Sequence, residues 1–379
     1  MAQLVAIDLP GGPAFVSALQ RIWDAGDAAL PLDQRLAAPA QEALVRALAP
    51  AGVIGPAGFV DLDGGRPVSS GDALVVATSG TTSGPKGVVL THAAVAASAA
   101  ATSARLGVDP DHHRWLACLP LSHVGGLSVV TRALLTGTPL EVHPGFSSVA
   151  VTAAAGPSVL VSLVPTALRR VVAGDFHTVV LGGSAPPGDL PANVVTTYGM
   201  TETGSGVVYD GVPLAGVELA LGPNGEVRLR CPMLLRAYRD GTVPLDGEGW
   251  FATGDAGTIG ADGRLAIHGR LSDLVITGGE NVWPATVEAV LRQDPGVAEV
   301  AVAGRPDPEW GERVVAWVVP TDPSTPPTLD HLRALVKDHL APWAAPRQLV
   351  VVAALPKTAI GKIRRTALPS PSDGPNCAG

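Results

Sequence analysis

The sequence predicts an α/β protein with three parts: a large N-terminal domain of mainly parallel sheets with helices, a β-rich subdomain within it, and a small α+β domain at the C-terminus. Short Val- and Leu-rich runs alternate with helical patterns from about 71 to 200, which is typical of a parallel sheet with crossover helices. Between 207 and 262, Gly and Pro residues separate short β-prone runs such as 226–230. A compact mixture of strand and helix patterns follows 269.

The N-terminal elements follow from the spacing of apolar residues. Over 13–48 these residues, Phe15, Leu19 and Ile22 among them, recur at the intervals of two amphipathic helices. Further helices are expected over 93–105 and 166–173. Continuous apolar runs predict buried strands over 73–77, 88–90, 115–119, 159–163, 178–181 and 193–197.

The C-terminal part has its own alternation of elements. We expect a strand over 274–277, a helix over 284–293, strands over 297–303 and 314–319, and a helix over 328–340. Pro284 suits the first turn of its helix, where its missing N–H leaves no hydrogen bond unmade. The predicted domains are therefore 1–270 and 271–368, followed by a disordered tail over 369–379.

Composition limits the classes of function. Lys and Arg total 26 against 34 Asp and Glu, a net charge of −8, and no basic run occurs, so neither a nucleic-acid nor a membrane partner is expected. Cys118, Cys231 and Cys377 lack the CxxC spacing of a zinc site or the even number of a disulfide framework. The N-terminus does not resemble a signal peptide. We expect a cytoplasmic protein that binds small molecules, with a homodimer left open.

One loop has the composition of a polyphosphate clamp. Residues 78–87 read TSGTTSGPKG and lie between two predicted strands. Glycines allow backbone N–H groups to approach phosphate oxygens, hydroxyls add donors, and lysine adds a positive charge. Pro85 next to Lys86 departs from the Walker sequence, and a solvated linker is the alternative. The candidate ATP-binding residues here are Thr78, Ser79, Gly80, Thr81, Thr82 and Lys86.

Five further segments are candidates for the same site. Residues 198–203, YGMTET, and 182–186, GGSAP, each follow a predicted strand, where ligands of α/β sheets bind. The dipeptides that contain Asp255 and Arg270 offer a carboxylate and a guanidinium. Residues 356–365, PKTAIGKIRR, form a basic run that contains Lys362. Taken singly, the first two are ordinary turns, the two dipeptides are common in loops, and the last is a basic surface loop.

In their order along the chain, from Thr78 to Lys362, these segments resemble the acyl-adenylate-forming superfamily, which includes acyl-CoA ligases, adenylation domains and firefly-type luciferases. The resemblance implies that the Tyr198 ring, beside Gly199, stacks on adenine, Thr201 contacts the α-phosphate, and Glu202 helps to hold Mg²⁺. It implies that Asp255 and Arg270 hold the ribose, and that Lys362 assists adenylation. Along the adenine and the acyl group it places Gly182, Gly183 and Ser184.

The resemblance also implies a reaction in two halves. A carboxylate attacks ATP to give an acyl-adenylate, and the small mobile C-terminal domain then rotates about a hinge at Ser272 or Asp273 so that CoA can form a thioester. After rotation Gly278, Gly279 and Glu280 line the pantetheine tunnel; a simple turn before the helix at Pro284 is the alternative for them. ATP, Mg²⁺ and CoA are thus the implied cofactor and co-substrates.

The stretch GRLSDLVITGGENVWPATVEAVL at 269–291 is most similar to the o-succinylbenzoate:CoA ligases of that superfamily, which act in menaquinone synthesis. Only 77 residues precede Thr78, fewer than the family usually has, so part of the N-terminal subdomain is trimmed. The resemblance places His123 beside the acyl pocket, although a lone histidine can also be a packed side chain. Arg169 or Arg170 would receive a second substrate carboxylate, unless both are surface residues.

Three alternatives stay open at this point. Another acyl- or aryl-CoA ligase would share every motif, and a free-standing adenylation enzyme that loads a carrier protein would differ only in its acceptor. From another class, a nucleotide-binding regulatory protein without catalysis is conceivable, but the presence of both Glu202 and Lys362 argues against it. ATP-dependent release of pyrophosphate would separate the last alternative from the enzymes.

Overall fold

The computed structural model describes residues 1–78, 85–184, 186, 188–357 and 363–370. Within these residues the chain forms two compact units. The N-terminal unit comprises Met1–Ala220, Arg228–Ala252 and Gly260–Leu265, and the C-terminal unit comprises Leu221–Val227, Thr253–Ile259 and the chain from Ala266 onward. None of the helices in the described ranges is long and apolar enough to cross a membrane.

Two of the helices begin at a threonine whose side chain caps the first turn. Thr91 Oγ1 accepts the Ala94 N–H at 3.1 Å before one helix, and Thr328 Oγ1 accepts the His331 N–H at 3.3 Å before another. The helices of the described residues are α1 (Pro13–Asp24), α2 (Ala38–Leu48), α3 (His92–Leu106), α4 (Val124–Thr136), α5 (Ser148–Ala153), α6 (Pro165–Leu168), α7 (Pro284–Leu291) and α8 (Leu329–His339).

The strands are mostly short and apolar. Those up to residue 221 are β1 (Leu4–Ile7), β2 (Ala28–Pro31), β3 (Gly52–Gly55), β4 (Gly58–Asp61), β5 (Asp72–Thr78), β6 (Lys86–Thr91), β7 (Arg114–Ala117), β8 (Leu140–Val142), β9 (Gly156–Leu163), β10 (Phe176–Leu181), β11 (Val194–Gly199), β12 (Gly206–Tyr209), β13 (Val212–Pro213) and β14 (Glu218–Leu221). Those that follow are β15 (Glu226–Arg230), β16 (Ala237–Tyr238), β17 (Phe251–Ile259), β18 (Leu265–Arg270), β19 (Val275–Thr277), β20 (Glu280–Val282), β21 (Val297–Asp307), β22 (Gly311–Pro320) and β23 (Gln348–Val351).

The N-terminal unit contains two seven-stranded sheets. The first has the order β16-β6-β5-β2-β1-β3-β4, with β2, β1 and β3 parallel and β16 antiparallel to β6. The second has the order β13-β12-β11-β10-β9-β7-β8 and is parallel from β11 to β8. Strands buried on both faces read as continuous apolar runs, as LVAI does in β1. The carboxyl ends of β10 and β11 therefore lie side by side, which positions the loops that follow them.

The remaining sheets belong to the β-rich region and the C-terminal part. A four-stranded sheet has the order β14-β15-β17-β18, and a five-stranded sheet has the order β20-β19-β22-β21 with β23 beside β22. Helices α7 and α8 pack on one face of the five-stranded sheet through Val287, Leu291, Leu332 and Val336. On its other face Trp317 is fully buried and packs with Val350, Leu355 and Leu368. This C-terminal layer arrangement is the predicted α+β unit.

The predicted fold class is confirmed, and most predicted elements are present. The strands expected at 73–77, 88–90, 159–163 and 178–181 correspond to β5, β6, β9 and β10. The helix expected over 166–173 is only the single turn α6, and a 3-10 turn at Ala173–Asp175 leads directly into β10. Strands β1 to β4 and helix α4 had not been predicted. The predicted tail from 371 onward lies outside the described residues.

A buried ion pair stabilises the C-terminal unit, and its loss should be measurable. Arg365 donates to the Glu288 carboxylate at 2.5 Å and to the Val302 carbonyl at 3.0 Å, and the Glu288 side chain is 4% exposed. Arg365→Ala leaves part of a buried carboxylate without its partner, so we expect the free energy of unfolding to fall by about 2–3 kcal/mol. Urea denaturation followed by circular dichroism measures this difference.

The matched control is Lys357→Ala. Lys357 pairs with Glu299 at 2.6 Å, but both side chains are about two-fifths exposed, and exposed pairs contribute less than about 1 kcal/mol. Equal losses in the two variants would contradict the assignment of a stabilising role to the buried pair.

Candidate active site

The phosphate-loop candidate joins two adjacent antiparallel strands. Thr78 is the last residue of β5, Lys86 is the first of β6, and the two face each other in the register. The loop therefore starts and ends at adjacent strand ends of the first sheet, and it joins two strands as the sequence predicted. Lys86 is exposed and points its ammonium over the Tyr238 ring, 5.3 Å from the ring centroid. Ser79, Gly80, Thr81 and Thr82 lie outside the described residues.

The YGMTET segment begins at the carboxyl end of β11. Tyr198 and Gly199 close the strand, and Thr201–Thr203 form a 3-10 turn. A side chain at Gly199 would place its Cβ 2.2 Å from the Ser205 carbonyl oxygen, so only glycine allows the chain to turn this closely. The Thr203 hydroxyl accepts the Met200 N–H at 3.0 Å and donates to Ser205 O at 2.7 Å. These bonds fix the backbone on both sides of Glu202.

The Glu202 side chain is partly exposed and is held by a tyrosine. Tyr238 Oη donates to Glu202 Oε1 at 2.9 Å, and Glu202 Oε2 receives no hydrogen bond from the described residues. Burial and the neighbouring carboxylate raise the pKa of Tyr238, so the phenol keeps its proton. No group of three or more His, Cys, Asp and Glu side chains in the described chain could hold a metal. One carboxylate completed by phosphate oxygens is the arrangement that these residues fit for Mg²⁺.

The GGSAP loop lies beside this segment. It follows β10, whose last residue Leu181 faces Thr196 of β11. A Cβ at Gly182 would lie 2.7 Å from Thr197 Oγ1, so the loop packs directly against the strand that leads into Tyr198. Gly183 and Ser184 are exposed at the same edge. The structure thus brings Gly182, Gly183, Tyr198 and Glu202 together at the carboxyl ends of two parallel strands, where ligands of such sheets bind.

The predicted ribose pair is in contact within the C-terminal unit. Arg270 Nε lies 2.9 Å from the Asp255 carboxylate, and Arg270 Nη1 donates to the Thr253 carbonyl at 3.0 Å. The Asp255 side chain is buried and the Arg270 side chain is 43% exposed. The guanidinium therefore presents a fixed, accessible edge, which suits recognition of hydroxyls or phosphate.

The predicted pantetheine loop and hinge also belong to the C-terminal unit. Gly278 has a φ of 60°, and a Cβ there would lie 2.7 Å from the Trp310 ring. The Arg347 guanidinium covers that ring at 4.0 Å from its centroid. Gly279 and Glu280 are exposed. In the 3-10 turn Leu271–Asp273, Ser272 is exposed and Asp273 accepts from Arg365 at 3.3 Å. Neither Trp310 nor Arg347 had been singled out from the sequence.

His123 precedes the first turn of α4 and is held by two charged side chains. Its Nε2 lies 3.0 Å from the Arg35 guanidinium and 3.3 Å from Asp33 Oδ2. Desolvation by burial lowers the pKa of His123, which outweighs the opposite effect of Asp33. The imidazole is therefore neutral at neutral pH. Asp33 and Arg35 come from the short N-terminal region and had not been predicted as neighbours of His123.

A buried arginine is the main candidate functional residue that sequence reasoning missed. Arg132 on α4 is 1% exposed, and its Nη2 donates to Ser205 Oγ at 3.2 Å. Its Nε and Nη1 have no hydrogen-bond partner among the described residues, and its other favourable contact is the Trp115 ring at 4.6 Å. A buried guanidinium is costly unless an anion accompanies it. Ser205, its one hydrogen-bond partner among the described residues, follows Glu202 by three positions in the sequence, and the unmatched charge makes Arg132 a candidate to bind an anionic ligand.

The earlier candidates for that charge are on the surface. Arg169 and Arg170 follow α6 and are both exposed. The signal that could have found Arg132 is its isolation, because it is the only charged residue in the apolar stretch 124–136. Lys362, the predicted adenylation residue, lies outside the described residues.

Two sequence families match the chain. The family described as AMP-binding enzyme matches residues 65–230, and the AMP-binding enzyme C-terminal domain matches 286–362. A protein of Mycobacterium tuberculosis named "Probable 2-succinylbenzoate--CoA ligase" is 38% identical over 393 residues, covering 96% of this chain and 97% of that protein. The chain belongs to the AMP-binding enzymes. A 2-succinylbenzoate--CoA ligase of Listeria monocytogenes is 35% identical, covering 78% of this chain and 69% of its own length.

This AMP-binding enzyme also resembles solved structures over nearly its whole length. The o-succinylbenzoate CoA synthetase (MenE) of Bacillus subtilis in complex with the acyl-adenylate OSB-AMP is 26% identical, with a TM-score of 0.85 over 97% of this chain and 88% of the other. The same synthetase in complex with ATP and a magnesium ion is 25% identical, with a TM-score of 0.83, and the match covers 97% of this chain and 89% of the other. By these relationships the chain is an AMP-forming acid:CoA ligase.

The Asp33 carboxylate beside His123 should make stability depend on pH. Its hydrogen bond from Arg35 lowers the pKa of Asp33 from 3.8 to about 2. Because the folded pKa lies below the unfolded one, this stabilisation is present above about pH 4 and is lost as the pH falls towards 2. We expect Asp33→Asn to reduce the free energy of unfolding by about 1–2 kcal/mol at pH 7, with a smaller difference at pH 3. Urea denaturation at both pH values measures it.

Glu42→Gln is the control for this comparison. It removes one carboxylate from an exposed pair with Arg46 on α2, whose side chains are 67% and 70% exposed, and should have little effect at either pH. A loss in Asp33→Asn that is as large at pH 3 as at pH 7 would show that the carboxylate charge is not its cause.

Proposed function

We propose that this AMP-forming ligase activates o-succinylbenzoate and transfers its acyl group to CoA. The observation that carries the choice of acid is the buried Arg132, because a substrate with two carboxylates can present one for activation and the other to this guanidinium. The names of the curated relatives agree with that choice. A monocarboxylic acid would leave the buried charge without an anion, at a cost in binding free energy.

In the proposed site, ATP is bound by the phosphate loop and by the turn after β11. Backbone and hydroxyl donors of the loop, together with Lys86, receive the polyphosphate, and the Tyr198 ring stacks on adenine. Thr201 contacts the α-phosphate, and the Asp255–Arg270 pair binds the ribose. Glu202 holds Mg²⁺, which supplies charge neutralisation to the phosphates when it is bound. The loop residues proposed for ATP are Thr78, Ser79, Gly80, Thr81 and Thr82.

The first half-reaction makes the acyl group electrophilic. A carboxylate oxygen attacks the α-phosphorus, the new O–P bond replaces the bond to pyrophosphate, and pyrophosphate leaves. Negative charge develops on the oxygens around the α-phosphorus, where Lys362 supplies a positive charge. Without this step the carboxylate would be too poor an electrophile for a thiol.

In the second half-reaction the CoA sulfur attacks the acyl carbon of the adenylate. A C–S bond forms, the C–O bond to AMP breaks, and the thiol proton is released. In this proposal the domain 271–368 rotates about Ser272 or Asp273 between the two steps, and Gly278, Gly279 and Glu280 then lie along pantetheine. His123, kept neutral by its burial, flanks the acyl group. A homodimer and a cytoplasmic location stay predictions.

A panel of acids tests this proposal directly. The purified protein is incubated with ATP, Mg²⁺, CoA and each acid, and CoA thioesters are detected by mass spectrometry. We expect o-succinylbenzoate to be strongly preferred over monocarboxylic aryl and medium-chain acids. Equal thioester formation from a monocarboxylic acid would overturn the assigned substrate, and adenylate without thioester would move the acceptor to a carrier protein.

Arg132→Met should reveal how much the second carboxylate of the substrate contributes to binding. It keeps most of the side-chain volume but removes the guanidinium, and the loss of a charge-assisted hydrogen bond predicts a roughly 30- to 100-fold fall in kcat/KM for o-succinylbenzoate. For an analogue that lacks the second carboxylate, kcat/KM should fall less than about threefold. Steady-state kinetics of both substrates give the comparison.

Arg169→Met is the matched control, since it removes an exposed guanidinium from the same N-terminal unit. It should leave kcat/KM for both substrates unchanged. If Arg132→Met affected the two substrates equally, or Arg169→Met reproduced its selectivity, the second carboxylate would not be bound by Arg132.

A further inference from the structure

Tyr238 makes contacts with two groups that are remote in sequence and assigned to the same ligand. Its hydroxyl donates to Glu202 Oε1 at 2.9 Å, and its ring lies under the Lys86 ammonium at 5.3 Å. Lys86 ends the phosphate loop and Glu202 follows β11, so the tyrosine connects both halves of the proposed ATP site. It was not part of any motif identified in the sequence.

The backbone holds this tyrosine in place independently of its side chain. Tyr238 lies in β16, antiparallel to β6 and opposite Val88. On one side the Leu235 N–H donates to the Glu202 carbonyl at 2.7 Å, and on the other the Arg239 N–H donates to the Gly87 carbonyl at 2.7 Å. The strand is therefore fixed to the residues next to Lys86 and to Glu202 itself. A rigid backbone of this kind can orient the two side chains.

We infer that Tyr238 is a positioning residue that aims the Glu202 carboxylate at the magnesium of MgATP through its hydroxyl and steadies Lys86 for the polyphosphate through its ring. The inference deepens the ATP half of the proposed function and rests on the assignments of Glu202 and Lys86. It is independent of which acid is activated.

The chemistry explains why one side chain can serve both groups. The hydroxyl bonds to one carboxylate oxygen and restricts rotation of the side chain, which leaves the other oxygen for a metal. The face of an aromatic ring attracts an ammonium within about 6 Å. Because the phenol hydroxyl donates to the carboxylate and the ring face attracts the ammonium, Tyr238 can hold the negative Glu202 and the positive Lys86 without a direct ion pair between them. A leucine or phenylalanine at this position would lose one or both functions.

Calorimetric titration of ATP at a series of Mg²⁺ concentrations, with AMP in the absence of metal as reference, tests the inference. Tyr238→Phe removes the hydroxyl and keeps the ring, so the Mg²⁺-dependent gain in ATP affinity should fall roughly 5- to 30-fold while binding of AMP is unchanged. Tyr238→Leu also removes the ring and should in addition weaken metal-free ATP binding by about two- to fivefold.

Two comparisons distinguish positioning from a general structural effect. Adding Tyr238→Phe to Glu202→Gln should cause no further loss of Mg²⁺ dependence, since the partner is already altered. Tyr209→Phe removes another phenol, one that is fully buried and lies 3.1 Å from Thr102 Oγ1, and should not change the Mg²⁺ dependence. The urea midpoints of all variants show that they are folded.

The inference is overturned if Tyr238→Phe keeps the wild-type Mg²⁺ dependence, or if it weakens AMP and MgATP equally. Additive losses in the double variant would equally overturn it. These outcomes concern ATP and metal alone, so they differ from a failure of the proposed acid, which would appear only in the thioester panel.

Discussion

The arrangement of the candidate ATP site depends on one backbone interaction, the antiparallel pairing of β16 with β6. This pairing brings residues near 237 to the strand that begins at Lys86, and the neighbouring Leu235 N–H binds the Glu202 carbonyl. Lys86 at the end of the phosphate loop, the turn after β11 and the Tyr238 side chain are thereby held at one edge of the N-terminal unit. Backbone hydrogen bonds are strongly directional, so this geometry is set before any substrate binds.

Charge balance distinguishes Arg132 from the other charged groups described above. Asp255 is matched by Arg270, Glu202 by the Tyr238 hydroxyl, and Asp33 by Arg35. Arg132 is different, because it is buried and two of its nitrogens lack partners among the described residues. Such a group is destabilising in the free protein, so in the proposed function an anionic substrate group would restore the missing interactions and convert that penalty into specificity.

The limits of prediction follow from which interactions are local. Lys86, Glu202 and Arg270 could be recognised because their neighbours in the chain form compact signatures. Tyr238 and Arg132 could not, since their contacts join residues 36 and 73 positions apart. Helix α4 was missed because it is apolar on nearly every side and contains Gly125 and Gly126, which removes the periodicity that reveals a helix. Strands β1 to β4 have only four residues each, too few for a period to emerge.

By itself the sequence determined the α/β class, the order of most elements, and the types of groups that can bind ATP, because apolar periodicity and loop composition are properties of consecutive residues. Only the tertiary structure decided which of those groups meet. The position of Tyr238 between Lys86 and Glu202, the pairing of His123 with Asp33, and the burial of Arg132 all arise from strand order and helix packing. These contacts depend on distances through space between remote segments, which no local pattern of residues encodes.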